Sequence, residues 1–509
     1  MTVVEAAERA GGRIRSAPFH GHVIECGAQF PSSGYRHLMP LFGEAGLDAQ
    51  LVKTSPWAAF EHRGRLFRVH ARRPWTIPAS GLLGWRDSVR VSRARAALLA
   101  RVRALDPNRY AAFAEFDDAD AAHWAERAFG RAAVDAIFAP MIHGLYFQPL
   151  RGASRALLAA VTGFDGADTL AVAGGWQTLP VALAARLDVR YGTRVDALSA
   201  HANGVDACVG DRALRFDAAI VATPATVARR LWRGQTDAQR ALLATGYARC
   251  AHVAFGLAPG WRAPARLRRV YGALLSPHAR RVAALTFERG RGIGDGQGEV
   301  VSAMLGHAGA SALRYASDNE IARVALDDLR TLLPGVAEAV VATRVQRWDE
   351  AEPLSPVGRA RARSPHTARA STRARACCSR ATTWARRGPT ARRRRADGRR
   401  AGCSTRAHET IGRSGARAGS PSDWRDAPNR DRLARADADF KRNSGFPIES
   451  ADEATCADAR GSVSGIAAAL ETVAGPQAAR ALFGAGVPGA SRVAAIACSL
   501  SLAWGASAK

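Results

Sequence analysis

Lysine, long apolar runs and paired cysteines are all scarce in this chain of 509 residues. Only three of its 72 basic residues are lysines (Lys53, Lys441 and Lys509). No run of about eighteen apolar residues is present, which argues against a membrane-spanning helix. The eight cysteines show neither a C-x-x-C pair nor metal-ligand spacing, so the sequence predicts no metal site. Scattered cysteines without a secretory leader predict a protein of the reducing cytoplasm.

Positive charge is concentrated in one late segment. The formal net charge is +27, and residues 359–400 alone hold fifteen arginines and one acid, Asp397. Such a segment raises the hypothesis of an Arg-rich nucleic-acid-binding protein. However, it has only one aromatic residue for base stacking, Trp384. We therefore predict a charged disordered tail and no specific nucleic-acid partner, and keep nucleic-acid binding as the alternative.

The first thirteen residues carry the pattern on which the rest of the interpretation depends. The apolar, β-branched pair Val3-Val4 ends in an acid, Glu5, and Gly11-Gly12-Arg13 follows six residues later. An acid at the end of the second strand of a dinucleotide-binding unit can bond ribose hydroxyls. A glycine pair lets the backbone approach a phosphate, and arginine offers a planar fork of donors to its oxygens.

Together with Ala6 and Arg9, this pattern resembles the second-strand signature of the flavin-containing amine oxidase superfamily, which binds FAD. The resemblance implies FAD as the cofactor, held by Glu5, Gly11, Gly12 and Arg13. In that family a first strand and a Gly-rich turn precede this strand. The chain is therefore expected to begin inside the FAD site and to lack both.

Three later motifs resemble the same superfamily. Gly27-Ala28-Gln29 stands where the family's backbone approaches the pyrophosphate and the flavin ring. Gly174-Gly175 opens a helix and is followed by a predicted strand ending at Val195, whose backbone meets the adenine in the family. A further strand then runs into Ala222-Thr223-Pro224. Their order and spacing are more specific than any one of them.

The region between these motifs resembles the protoporphyrinogen oxidase branch. Phe129-Gly130 is followed by a Pro-x-x-x-Gly-x-Tyr turn ending at Tyr146, and then by Ser154. His143 in this turn is a tempting catalytic residue. A lone histidine beside Met141 and Ile142 is more often packed and hydrogen-bonded, so we predict a structural role.

The end of the chain departs from the family. Arg347-Trp348 and Pro353 resemble the family's final Arg-Trp and Pro turn, which leads to a Gly-Asp motif at the last strand. That motif is absent, and residues 359–400 contain no Leu, Ile, Val or Phe. Reading a GC-rich back-translation one base earlier restores the missing motif. We therefore predict a frameshift near Arg363 and a non-native tail.

The predicted fold is α/β, with an incomplete Rossmann-like FAD-binding domain of the GR2 type, an inserted α+β substrate domain and a disordered Arg-rich tail. The FAD-binding domain is predicted at 1–48 and 171–240, and the substrate domain at 49–170 and 241–358. Residues 359–509 form the predicted tail.

The predicted function is that of a FAD-dependent oxidoreductase that removes hydride from a C–H or C–N bond onto flavin. Amine-oxidising members commonly hold a lysine near the flavin. The absence of lysine from position 54 to 440 therefore favours a porphyrinogen-like or carotenoid-like small molecule over an amine. No catalytic base, metal ligand or oligomeric state follows from the sequence, and peripheral membrane contact stays open. An inactive fragment or pseudogene product is the remaining alternative.

Overall fold

The structure, a computed structural model, describes residues 1–293 and 298–362 and the backbone of 493–497. The strands, in chain order, are Thr2–Glu5 (β1), Ser16–Phe19 (β2), His22–Glu25 (β3), Leu51–Lys53 (β4), Trp57–His62 (β5), Arg65–His70 (β6), Leu170–Val172 (β7), Asp188–Arg190 (β8), Ala197–His201 (β9), Gly204–Val209 (β10), Arg212–Phe216 (β11), Ala218–Val221 (β12), Tyr247–Leu257 (β13), Val270–Leu274 (β14), Val282–Phe287 (β15), Glu299–Leu305 (β16), Val340–Pro353 (β17) and Val493–Ala497 (β18).

The α-helices in the same residues are Met39–Glu44 (α1), Thr76–Ser80 (α2), Trp85–Val102 (α3), Ala121–Phe129 (α4), Arg131–Ala133 (α5), Ala139–Tyr146 (α6), Arg155–Gly163 (α7), Thr178–Ala184 (α8), Ala225–Leu231 (α9), Asp237–Leu243 (α10), His307–Ala312 (α11), Asp318–Arg330 (α12), Val336–Ala339 (α13) and Arg359–Ala362 (α14). None of the helices in this part of the chain has the length and hydropathy needed to cross a bilayer.

A four-stranded sheet in the order β12-β18-β1-β8 carries the first residues of the chain. All three of its ladders are parallel. β1 places Val4 in the core, where it packs with Val195. Glu5 ends the strand, and its carbonyl accepts a hydrogen bond from the Thr193 N–H at 2.9 Å. Residues 2–5, 188–190 and 218–221 therefore belong to one sheet, while β9, β10 and β11 form a separate antiparallel sheet.

β18 lies inside the segment predicted to be a largely disordered tail, and these five residues are an exception within it. Ala494 pairs with both Thr2 and Ala219, and the strand connects β1 to β12 along its whole length. The sequence VAAIA is apolar enough to form a buried strand, and the tail's Arg-rich composition does not extend to it. The Arg359–Ala362 turn is also helical. The remainder of the predicted tail, with the frameshift position, lies outside the described residues.

A seven-stranded sheet in the order β17-β13-β16-β15-β14-β5-β6 forms the second layer. Its β14–β5 ladder is parallel and the others are antiparallel. The sheet joins residues 57–70 to residues 247–353. Helix α12 packs on one side of it, with Val324 and Leu329 in a shared core. A separate helical core is built mainly from α3, α4, α6 and α7. The domain boundaries given above stay a prediction.

Helix α4 ends at Phe129, because Gly130 adopts a φ of 93°, a value that glycine reaches more easily than other residues. The chain then continues as α5 and a π-helical turn, Val134–Phe138. The strand predicted to end at Val195 already ends at Arg190.

A buried ion cluster connects the β2–β3 hairpin to the turn after β15. The Arg291 guanidinium donates to Glu288 Oε2 at 2.8 Å, to Glu25 Oε1 at 3.0 Å and to the Val23 carbonyl at 2.8 Å. Glu25 also accepts from the Trp176 N–H at 2.8 Å. Burial lowers the pKa of Arg291, but Glu288 and its other acidic neighbours outweigh burial and raise it, so the side chain is charged.

Replacing Arg291 with Met should strongly destabilise the protein, because two acidic side chains would lose their buried cation. Breaking a buried pair costs about 3–5 kcal/mol. Arg289→Met is the matched control, since Arg289 pairs with Glu299 at 2.9 Å but is half exposed. That pair should contribute about 1 kcal/mol or less. Urea denaturation of both variants measures the difference, and equal losses would contradict the structural role of the cluster.

Ala495→Pro should lower the melting temperature, because proline cannot donate a backbone hydrogen bond in a central strand. Ala495 pairs with Val3 on one side and with Ile220 on the other. Ala508→Pro, one residue before the end of the chain, is the control. Differential scanning fluorimetry compares the two, and an unchanged melting temperature in Ala495→Pro would show that β18 is dispensable.

Candidate active site

A cavity of about 260 Å³ lies between the residues that follow β3 and one face of the seven-stranded sheet. Most of its lining is apolar and comes from the segments around Ile14 and Ala28 and from strands of the seven-stranded sheet. The lining includes Ile14, Ala28, Phe30, Trp57, Leu145, Phe147, Trp176, Leu274, Ala284, Met304 and Trp348. An apolar concave site with few polar groups is typical of small-molecule and cofactor sites.

The first wall is the segment Gly27-Ala28-Gln29. Any side chain at Gly27 would collide with the Arg13 carbonyl oxygen, so only glycine allows the two segments to meet. The Gln29 side chain donates to the Glu25 and Gly27 carbonyls at 2.9 and 2.8 Å. Tyr271 donates to the Gln29 carbonyl at 3.3 Å. These bonds hold the segment against the cavity.

Arg13 joins this wall to the end of β17. Its guanidinium donates to the Ala351 carbonyl at 2.6 Å and to the Glu350 carbonyl at 3.2 Å. It also lies over the Tyr247 ring, 5.8 Å from the centroid. Nearby, the Trp348 indole donates to the Cys26 carbonyl at 2.7 Å. The first loop and the last long strand therefore position each other.

The sheet wall contains two buried polar side chains whose polar atoms have no hydrogen-bond partner among the described residues. They are His252 on β13, with both ring nitrogens, and Thr286 on β15, with its hydroxyl. His252 is only 1% exposed. Burial, aided by the charge of Arg344, lowers the pKa of His252 to about 4. The imidazole is therefore neutral at physiological pH and offers one donor and one acceptor.

Glu352, at the end of β17, is the third polar group of this kind. Its Oε2 atom is buried and has no hydrogen-bond partner in the described part of the chain. Desolvation raises the pKa of Glu352 to about 7, although Arg13 and Arg359 act to lower it. Burial and Glu352 together raise the pKa of the Cys250 thiol, which also lines the cavity. That thiol is therefore not a nucleophile at neutral pH.

The predicted cofactor residues fall into two groups. Arg13, Gly27, Ala28 and Gln29 line the cavity. The other four lie outside the cavity lining: Glu5 ends β1, Val195 packs with Val4 of β1, and Gly11 and Gly12 lie in the loop between β1 and β2.

The loop between β1 and β2 is shaped by Arg9 and the glycine pair. Gly11 and Gly12 have φ values of 109° and 53°. The Arg9 guanidinium donates to the Gly12 carbonyl at 2.6 Å and to the Ile14 carbonyl at 3.2 Å. The Glu5 carboxylate accepts from the Ala7 N–H at 2.8 Å.

An acid at the carboxyl end of a parallel strand suits a ribose, and the buried polar atoms facing the cavity suit a flat heteroaromatic ring. These residues fit FAD.

His143 does not line the cavity. Its Nδ1 atom lies 3.5 Å from the Leu275 carbonyl oxygen, and its ring packs against Gly306.

The sequence did not predict His252, Thr286 and Glu352 as site residues. The signal available for His252 was a histidine inside the apolar run from Cys250 to Phe255, and for Glu352 an acid directly before Pro353. Among the described residues, no group of His, Cys, Asp or Glu could hold a metal ion.

An acid at the end of a parallel strand and an apolar cavity faced by a second sheet are both typical of enzymes that bind a dinucleotide cofactor. The flavin containing amine oxidoreductase family matches residues 1–382, and the chain belongs to that family. It is a FAD-dependent oxidoreductase.

Solved structures of oxidases share the fold. A candidate protoporphyrinogen oxidase from Exiguobacterium sp. 255-15 is 18% identical, with a TM-score of 0.55 over 73% of this chain and 85% of that one. Putrescine oxidase bound to putrescine is 17% identical, with a TM-score of 0.56 over 73% and 84%. Cyclohexylamine oxidase from Brevibacterium oxydans IH-35A is 17% identical, with a TM-score of 0.54 over 70% and 82%. At these identities the likeness concerns the fold alone. The chain matches none of the curated proteins.

Acidification should test the neutral state of His252. Its folded-state pKa lies below the ordinary value of 6.5, so the stability associated with it is present above pH 6.5 and is lost as the pH falls through about 4. The loss is about 3 kcal/mol at most. Urea denaturation at pH 7 and pH 4.5 should therefore show a larger decrease for the wild type than for His252→Gln. Parallel decreases would mean that the imidazole is solvated.

Proposed function

We propose that this oxidoreductase removes a hydride from a C–H or C–N bond of an apolar small molecule held in the cavity. The observation that carries the proposal is the lining itself: it is mostly apolar, and His252, Thr286 and Glu352 each hold a buried polar atom that has no hydrogen-bond partner among the described residues. Bound FAD supplies the hydride-accepting chemistry. The protein's residues bind and orient the substrate and exclude water from it.

We further propose roles for the residues that hold the cofactor. Glu5 bonds the ribose hydroxyls, and Gly11, Gly12 and Arg13 approach the pyrophosphate. Gly27, Ala28 and Gln29 border the flavin ring, and the Val195 backbone meets the adenine. The support is their place in the fold: four of the eight line the cavity, and the others lie at the end of β1, in the loop that follows it, or against Val4 of β1.

A porphyrinogen-like or carotenoid-like substrate is the first candidate. Each is a large, mainly apolar molecule that is oxidised at carbon. The cavity offers it apolar walls, and neutral His252 can accept or donate a hydrogen bond without requiring a charged partner. No lysine occurs between positions 54 and 440, and the side chain of Lys53 pairs with Asp168 at 2.9 Å.

An amine is the second candidate, and Glu352 favours it. This carboxyl lies in the cavity wall, and a bound ammonium group would stabilise its charged form. Because the pKa of Glu352 is about 7, amine binding requires the Glu352 carboxyl to lose its proton near neutral pH.

We propose a cytoplasmic location and a peripheral contact with membranes for the protein with either substrate.

Anaerobic mixing distinguishes the two candidates. Protein loaded with FAD is mixed with a porphyrinogen, a carotenoid precursor or a primary alkylamine, and bleaching of the flavin absorbance reports hydride transfer. Bleaching by the porphyrinogen or the carotenoid precursor supports the first candidate, and bleaching by the amine alone supports the second. If none of the three bleaches the flavin of the loaded protein, the proposed reaction is wrong for these classes.

Glu352→Gln sharpens this comparison. With an amine, the variant should bind the substrate at least about tenfold more weakly, since a charge-assisted bond is worth about 1.5–3 kcal/mol. The pH dependence of wild-type KM near pH 7 should disappear as well. With a porphyrinogen, the KM of the variant should stay within about twofold. Glu350→Gln is the control, because its carboxylate accepts from the Thr226 hydroxyl at 2.8 Å and does not line the cavity.

A further inference from the structure

Two tryptophans close together in the sequence are mostly exposed to solvent. Trp75 is 63% exposed and Trp85 is 72% exposed. Tryptophan side chains are, on average, highly buried in folded proteins. Two such rings within eleven residues therefore require an explanation beyond chance exposure.

Both rings belong to one surface element, residues 71–90, which we call the Trp surface. Trp75 directly precedes α2, and Trp85 is the first residue of α3. Between them, Leu82 and Leu83 are buried in the helical core and anchor the segment. Because five of the intervening residues are helical, the two Cα atoms lie no more than about 25 Å apart.

The Trp surface is positively charged. It contains four arginines, at positions 72, 73, 86 and 90, and one acid, Asp87. Arg73 and Arg86 are exposed. Arg90 donates to backbone carbonyls of residues 126–128. Arg72 shares Asp168 with Lys53. Arg73 and Arg86 are therefore exposed to solvent in the same segment as the exposed rings of Trp75 and Trp85.

The same segment forms part of the cavity wall. Ala71 and Arg72 line the cavity, together with Asp168. Arg72 is half exposed, so the cavity reaches the surface beside it. Trp75 follows three residues later. The aromatic rings and the opening of the cavity therefore lie on one continuous stretch of chain.

We propose that the Trp surface docks on a membrane that contains anionic phospholipids, with Trp75 and Trp85 in the headgroup region and Arg73 and Arg86 on lipid phosphates. Tryptophan prefers the membrane interface, and basic residues beside it gain energy from anionic lipids. Docking brings the opening of the cavity to the lipid, from which an apolar substrate enters without crossing water. This names a surface for the peripheral contact proposed above, and it is independent of which bond is oxidised.

The test is vesicle co-flotation of the full chain with phosphatidylcholine vesicles containing phosphatidylglycerol. Trp75→Ser/Trp85→Ser removes both rings and leaves every charge in place, including those of residues 359–400. We expect the partition coefficient to fall about tenfold or more. Tyr315→Ser is the matched control, since Tyr315 is 90% exposed, and its partition should equal that of the wild type.

Two further measurements decide between sources of binding. The variant Arg73→Gln/Arg86→Gln should bind phosphatidylglycerol vesicles more weakly than the wild type, and its binding should depend less on salt. Bromine-labelled lipids should quench the tryptophan fluorescence of the wild type more than that of the Trp variant. Undiminished flotation of the Trp variant would overturn the proposal and assign binding to the Arg-rich segment. Absence of flotation in the wild type would also overturn it and leave a protein partner as the occupant. Neither result depends on flavin reduction.

Discussion

The buried contact of Arg291 with Glu25 and Glu288 is the constraint on which the site depends. Glu25 ends β3, and the chain turns from there directly into Gly27-Ala28-Gln29, the first wall of the cavity. Arg291 belongs to the turn that follows β15, a strand of the opposite wall. Because the charged groups are removed from water, they tolerate little displacement. The distance between the two walls is therefore set by an interaction beside the cavity rather than by its lining.

The second constraint is the burial of polar groups in the cavity wall. Desolvation acts in opposite directions on two of its titratable groups, lowering the pKa of His252 and raising that of Glu352. Both shifts favour the neutral form. Arg13 is held by backbone carbonyls of β17 at the border. The cavity thus suits molecules that are oxidised without first presenting a strong charge.

The sequence predicted the parts of the fold that local pattern determines. Val3-Val4 followed by Glu5 forms the predicted strand, β1. It did not predict β18, since nothing local indicates that Val493–Ala497 pairs with strands hundreds of residues away. The roles of His252 and Glu352 also depend on long-range register: His252 faces the cavity only because β13 pairs with β16 and β17 on both sides. The burial of His252 and Glu352 and the shifts of their pKa values follow from this packing, which sequence periodicity cannot predict.

The bonds from Arg13 to the carbonyls of residues 350 and 351 join segments 337 and 338 residues apart. On the ribosome, the first loop must wait until nearly the whole described chain has been synthesised before it meets its partner. Contacts between such distant segments form slowly, because closing a long loop costs entropy before any contact stabilises it. One edge of the N-terminal strand pairs with β8, but the other stays unpaired until Val493–Ala497 has been synthesised and is open to chaperones and to aggregation until then. Assembly of the site is for this reason a late event in synthesis.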